Sequence, residues 1–279
     1  MRGTMTGVTA SSPSGAPLTV VFLHAHPDDE ASQTAGTQRL LADAGHRVVV
    51  VYATNGDHGV APQDLAPGET VVDRRRAEAE ASAEVTGTQA VHWLGYADSG
   101  MTGWEQNAHE TSFHSADPSA AAVRLASILD AERADVLVTY DWHGGYGHPD
   151  HVKAHQVAHL GAAAAERRPR LLESTMNRDR LRASFELARE AGIDGMDPDA
   201  PADDGNPFGE PEENIHWEVD TSSVLEVKRR ALECHASQTS DVGFMLALPA
   251  EAFAAWFGRE FYTEPGREPG MVLGRWWDA

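Results

Sequence analysis

Runs of uninterrupted apolar residues recur along this chain, each followed by a polar turn and then by a stretch with helical spacing. The first run, residues 18–23 (Leu-Thr-Val-Val-Phe-Leu), lacks the alternation of a half-exposed strand, as expected of a strand buried on both faces. Runs at 48–52, 90–94 and 135–140 predict three further strands, and 170–174 and 215–219 two more. Helical spacing predicts one helix from the turn after residue 30 through Gly36 to Ala44, stopped by Gly45, and others over 72–86, 120–131, 150–165 and 222–237. The C-terminal remainder is rich in Trp and Phe.

This alternation of strand and helix predicts an α/β fold: a Rossmann-like, mostly parallel sheet with helices on both faces, formed by a single domain over residues 18–279. Ligands of such sheets bind beyond the carboxyl ends of the strands. Polar clusters follow Leu23, Tyr52 and Tyr140, so three segments distant in sequence are expected to meet in one crevice. Residues 1–17, rich in Gly, Ser, Thr and Pro and without a long apolar stretch, are expected to form a disordered leader. Residues 192–214 are dense in Asp, Glu, Pro and Gly and read as an acidic loop insertion, either a solvated excursion or a rim of the crevice.

Charge narrows the partners. With 43 acidic against 22 basic residues, the formal net charge is -21, which disfavours nucleic acid and anionic membranes. No apolar run is long enough to span a bilayer. A lone cysteine, Cys234, allows no intrachain disulfide, so a cytoplasmic protein acting on a small molecule is expected, with its oligomeric state open.

Histidine supplies the chemistry. Eight of the 14 histidines stand at 24, 26, 143, 148, 151, 155, 159 and 235. His26, Asp28, Asp29 and Glu30 share the turn after the first strand, while His143, His148, Asp150, His151 and His155 share the turn and helix after the fourth. A catalytic zinc needs three such ligands and an open position. Pro27 and Pro149 each follow a histidine and precede an aspartate, which makes both turns rigid. Gly144, Gly145 and Gly147 let the second loop approach closely. His155 and His159 lie one and two turns beyond His151 and read as packing or supporting residues, as does His24. Cys234 and His235, adjacent on a helix, do not face one another and make no nucleophile pair.

The segments Ala25-His-Pro-Asp-Asp-Glu30 and Gly144-Gly-Tyr-Gly-His-Pro-Asp-His151 resemble the paired signature motifs of the PIG-L/LmbE family of zinc deacetylases. Within it the chain is most similar to the branches that deacetylate a mycothiol precursor or cleave mycothiol S-conjugates, from about residue 18 to 238. The resemblance implies His26, Asp29 and His151 as ligands of Zn2+, with Fe2+ equally suited to two histidines and a carboxylate. It implies Asp28 as general base, His148 as an imidazolium facing the oxyanion, Asp150 as the residue orienting His148, and Tyr146 as a mobile aid. It further implies Asp57, Arg75, Asp98 and Met101 as substrate contacts. Lys228 and His235-Ala-Ser-Gln238 match a late family helix, where packing is the expected role. The expected activity is removal of an N-acetyl or related acyl group from an amino sugar. The alternatives are an S-conjugate amidase, disfavoured by Gly147 where that branch tends to carry proline, and a sugar-binding protein without turnover, for which Asp28 and His148 would be superfluous.

Overall fold

The computed structural model describes residues 15–59, 61–190 and 197–279. Most of the expected leader, residues 1–14, and the first residues of the acidic loop, 192–196, lie outside the described residues.

In chain order the elements are β1 (Thr19–His24), α1 (Asp29–Gln33), α2 (Ala35–Asp43), β2 (Arg47–Thr54), α3 (Val71–Thr86), β3 (Ala90–Tyr96), α4 (Pro118–Glu132), β4 (Val136–Tyr140), α5 (Pro149–Ala164), β5 (Arg170–Thr175), α6 (Arg178–Glu190), β6 (Trp217–Asp220), α7 (Leu225–Cys234), α8 (Asp241–Ala247), α9 (Ala250–Phe257), β7 (Arg259–Thr263) and β8 (Val272–Leu273). They build one sheet in the order β3-β2-β1-β4-β5-β7-β6-β8. The first five positions are parallel throughout, and β7 runs antiparallel to both β5 and β6.

Both faces of β1 are covered, which is why its sequence does not alternate. Val21 and Leu23 pack with Leu125 and Leu129 of α4 and Val157 of α5. Val20 and Phe22 face the opposite layer, with Leu40 and Leu41 of α2, Ala79 of α3 and the C-terminal Trp276 and Trp277. A third cluster joins Ala31 and Ala35 to Leu232 of α7, Val242 of α8 and Phe253 and Phe257 of α9. No helix among the described residues is long and apolar enough to cross a membrane.

The single helix expected from residue 30 to 44 is two. Thr34 breaks it, and the freed N–H groups of Gly36 and Thr37 each donate 2.9 Å bonds to the buried Glu260 carboxylate on β7. The start of α2 is thus satisfied by a distant acid, a favourable partner for the positive end of a helix. The helix expected over 222–237 also ends early, at Cys234. Strand order reverses between β1 and β4, whose outer neighbours are β2 and β5, so the crevice of such a sheet opens beyond these two carboxyl ends.

Candidate active site

The turn after β1 and the turn after β4 meet at this crevice. In the first, Asp28 caps α1 with a φ of 113°, a backbone conformation that costs a non-glycine residue energy and is held here by its surroundings. Its N–H donates to Glu30 Oε2 over 2.9 Å. In the second, His148 is the N-cap of α5, Pro149 its first residue, and His151 stands in its first turn. Gly144 allows this loop to close against the helix: with its φ of 69°, a Cβ there would sit 2.3 Å from that of His151.

Four residues with nitrogen or oxygen donors converge. The Asp29 carboxylate lies 3.2 Å from His26 Nδ1 through one oxygen and 3.3 Å from His151 Nε2 through the other. One ring nitrogen from each of His26, His148 and His151 lies within 4.8 Å of the other two. The remaining nitrogens are occupied in the way metal-binding imidazoles require. His151 Nδ1 faces the Gly144 carbonyl at 3.1 Å, and His26 Nε2 faces Asp150 at 3.2 Å and Asp98 at 3.5 Å. His151 Nε2 is fully buried and makes no hydrogen bond. Such an orphaned nitrogen beside a carboxylate fits a divalent cation better than it fits a closed hydrogen-bond network. Asp29 is oriented by the His26 N–H and the Tyr140 hydroxyl, both donating over 2.8 Å to the same oxygen.

Asp28 stands beside this cluster with its carboxylate off it, 3.0 Å from Arg75 Nη2. Burial pushes its carboxyl up to about 6, with Asp29 adding to the effect and Arg75 opposing it. Arg75 is buried on α3 and also donates to the carbonyls of Pro27 and Gly56. It therefore braces the Asp28 turn while lining the cavity.

His148 differs from its expected state. Its Nδ1 accepts the backbone N–H of Asp150 at 3.1 Å, which leaves the ring proton on Nε2 of a neutral imidazole. Burial, then the proximity of His26 and His151, lowers its pKa to about 2. Nor does the Asp150 side chain hold His148. That carboxylate takes the N–H and hydroxyl of Ser99 and faces His26. Where an imidazolium held by the Asp150 side chain was expected, α5 turns the Asp150 backbone N–H toward the ring, and the ring presents Nε2–H as its donor.

The other expected residues divide. Tyr146 lines the cavity, its ring centroid 5.1 Å from that of His151 in an edge-on arrangement. Asp98 and Met101 line it too, Asp98 held well below the usual carboxylate range by His26 and the Gly100 N–H against the opposing effect of burial. Asp57 does not line it; its carboxylate accepts the Asp98 N–H at 2.9 Å and so fixes that loop. His24 is buried on Thr34, its pKa lowered by burial to about 4. His235 is buried against Glu30 at 2.6 Å, and Lys228 against Glu260 at 2.7 Å.

The crevice opens into a cavity of about 970 Å³. Beyond its polar floor, Met176, Phe208, Phe244, Met245 and Trp256 form an apolar wall. Sequence reasoning did not find this wall; the Trp- and Phe-rich C-terminal part was its only trace. The described part of the acidic loop closes one rim. Asp203 N–H bonds the Tyr146 carbonyl at 2.9 Å and Gly209 N–H the Gly145 carbonyl at 2.7 Å.

Residues 21–161 match the family model described as PIG-L, GlcNAc-PI de-N-acetylase. The chain is 33% identical to a 1D-myo-inositol 2-acetamido-2-deoxy-alpha-D-glucopyranoside deacetylase of Nocardioides sp., over 91% of this chain and 94% of that protein. It is 35% identical to the protein of the same name from Mycobacterium sp., over 93% and 87%. The N,N'-diacetylchitobiose deacetylase of Pyrococcus horikoshii shares the fold with a TM-score of 0.56 at 22% identity, over 91% of this chain and 84% of that one. The chain belongs to the PIG-L de-N-acetylase family.

Proposed function

We propose that this protein is a metal-dependent amide hydrolase that removes the N-acetyl group of an amino-sugar glycoside, with His26, Asp29 and His151 holding one Zn2+ or Fe2+. The observation that carries the reading is a set of metal-type donors with an orphaned buried nitrogen, beside a carboxylate that stays off the set and inside a cavity large enough for a glycoside. When bound, the metal supplies Lewis-acid polarisation of the amide carbonyl.

The chain's own groups account for the proton transfers. Asp28, ionised and braced by Arg75, takes a proton from the attacking water. The Nε2–H of His148 hydrogen-bonds the oxygen that gains charge as the carbonyl becomes tetrahedral, aided by the positive end of α5. The proton on Asp28 then passes to the departing amine. Asp98 and Met101 receive the sugar, with Asp57 holding the Asp98 loop in place.

The relatives named for a GlcNAc-inositol support a GlcNAc-type sugar. The apolar wall favours a second reading, in which the substrate carries a bulkier apolar portion, as an S-conjugate of a thiol glycoside does. Metal-loaded protein is offered GlcNAc, GlcNAc-inositol, an N-acylated natural-product glycoside and a mycothiol S-conjugate, with free amine and acetate scored. Amine release that is lost with a chelator and restored by Zn2+ or Fe2+ is expected. Release from none of the four by fully loaded protein overturns the proposal, and cleavage of the conjugate alone selects the second reading.

A further inference from the structure

The face of α5 that brings His151 to the cavity continues beyond it. His155 and His159 follow at steps of four residues and share that face. They leave the cavity behind and meet Glu173 on β5. His159 Nε2 lies 2.7 Å from Glu173 Oε1. His155 Nδ1 donates to the Tyr140 carbonyl over 3.1 Å and lies 3.5 Å from the same Glu173 oxygen. The two imidazole centroids are 4.4 Å apart. One donor atom from each of the three residues lies within 4.8 Å of the other two. The second Glu173 oxygen accepts the Thr263 hydroxyl at 2.8 Å, which fixes the carboxylate from behind. His159 is partly exposed, and a second cavity of about 280 Å³ begins at its ring.

An ion pair explains only half of this. A protonated His159 would satisfy Glu173, but a second imidazolium 4.4 Å away would be repelled by it. His155, its Nδ1 proton held by the Tyr140 carbonyl, keeps a lone pair on Nε2, the arrangement of a metal-binding imidazole, and a cation shared among all three residues matches it. Of the charged groups on the rim of the small cavity, Arg170 and Glu264 are bound to one another at 2.7 and 2.9 Å, and Arg168 is exposed.

We propose that His155, His159 and Glu173 form a second divalent-metal site, suited to Zn2+ or another late first-row ion, with its remaining position open toward the small cavity. Two imidazoles one helical turn apart and one carboxylate are the donor set such ions prefer. A metal there clamps α5 to β5, two elements that flank the active site.

The test is metal stoichiometry. Chelated, dialysed protein is titrated with Zn2+ by calorimetry, and bound metal is counted after desalting. Wild type is expected to take up two equivalents, and His159→Ala and His26→Ala one each. Amine release by His159→Ala carrying one equivalent should match wild type. His159 is the variant of choice because its partial exposure makes it tolerant. Glu173→Gln checks the carboxylate and should likewise lose one equivalent. If His26→Ala keeps both equivalents while His159→Ala loses one, this site stands and the ligand assignment of the active site falls. A single equivalent in wild type that His26→Ala loses and His159→Ala keeps overturns the inference.

Discussion

Asp28 shows how much one residue can ask of its surroundings. Its positive φ places the carboxylate beside the cluster of donors rather than on it, and burial keeps that carboxyl near 6. On the proposed mechanism Asp28→Asn, whose side chain tolerates the same backbone, retains its metal and loses roughly two to four decades of kcat, the worth of a positioned base. A metal-loaded variant with near wild-type kcat removes Asp28 from the reaction. Arg75 was expected to bind substrate, yet its guanidinium is bound to Asp28 and to the Pro27 and Gly56 carbonyls. Arg75→Met should therefore lower kcat more than it raises KM. Steady-state kinetics separate the two, and a KM change alone restores the substrate contact. Neither arrangement was legible in the sequence, where Asp28 and Arg75 stand 47 positions apart and no spacing rule joins them.

At the scale of elements, the loop before α5 is shaped by what packs on it. Gly147 has a φ of 89°, and a Cβ there would come 2.4 Å from the Asp204 backbone nitrogen. Its glycine is needed twice over, for the left-handed conformation and for the approach of the acidic loop. Gly147→Ala should cost about 1–2 kcal/mol in backbone strain and push the segment around Asp203 away from Tyr146. Urea unfolding checks the first effect. Faster proteolysis within 197–209 together with a raised KM checks the second. Unchanged KM and protease resistance would show that the loop plays no part at the rim. The sequence marked this loop as acidic and long. It could not say which surface the loop covers, because nothing in its own pattern names Gly145 or Tyr146 as the partner.

At the scale of the molecule, buried charge links the site to the C-terminal half. Glu30, one position past Asp29, is bound by His235 at 2.6 Å and by the Ser82 hydroxyl at 2.6 Å. Despite burial, His235, Ser82 and the Asp28 N–H lower its carboxyl from 4.5 to about 2. A lowered acid adds stability in full above its unfolded value of 4.5 and loses it as pH falls toward 2. His235, raised above 6.5 by Glu30 against the effect of burial, adds stability below 6.5 and loses it as pH rises through its folded value. The pair thus stabilises most between these limits. In chelated protein Glu30→Gln should cost on the order of 3 kcal/mol near pH 6, a gap that closes as pH falls below 4.5. Urea midpoints across pH 2–7 measure it, and a gap independent of pH means that Glu30 acts through packing alone.

Local patterns by themselves determined the five parallel strands, the helices between them and the two turns that carry the chemistry. Strand periodicity, proline and glycine are properties of a few consecutive residues, and a buried strand declares itself by its own apolar run. The same patterns placed His26, Asp29 and His151 at strand ends destined for one crevice. Only the tertiary structure decided the rest: the break of the first helix at Thr34, where Glu260 more than 200 positions away receives the start of α2; the antiparallel insertion of β7; the backbone N–H that meets His148 Nδ1; and the apolar wall formed by Met176 and Phe208 with Phe244, Met245 and Trp256 of α8 and α9. Each depends on a partner brought from a distant part of the chain. A carboxylate at a helix start, a donor at a ring nitrogen or a wall across a cavity exists only once folding has set both sides in place.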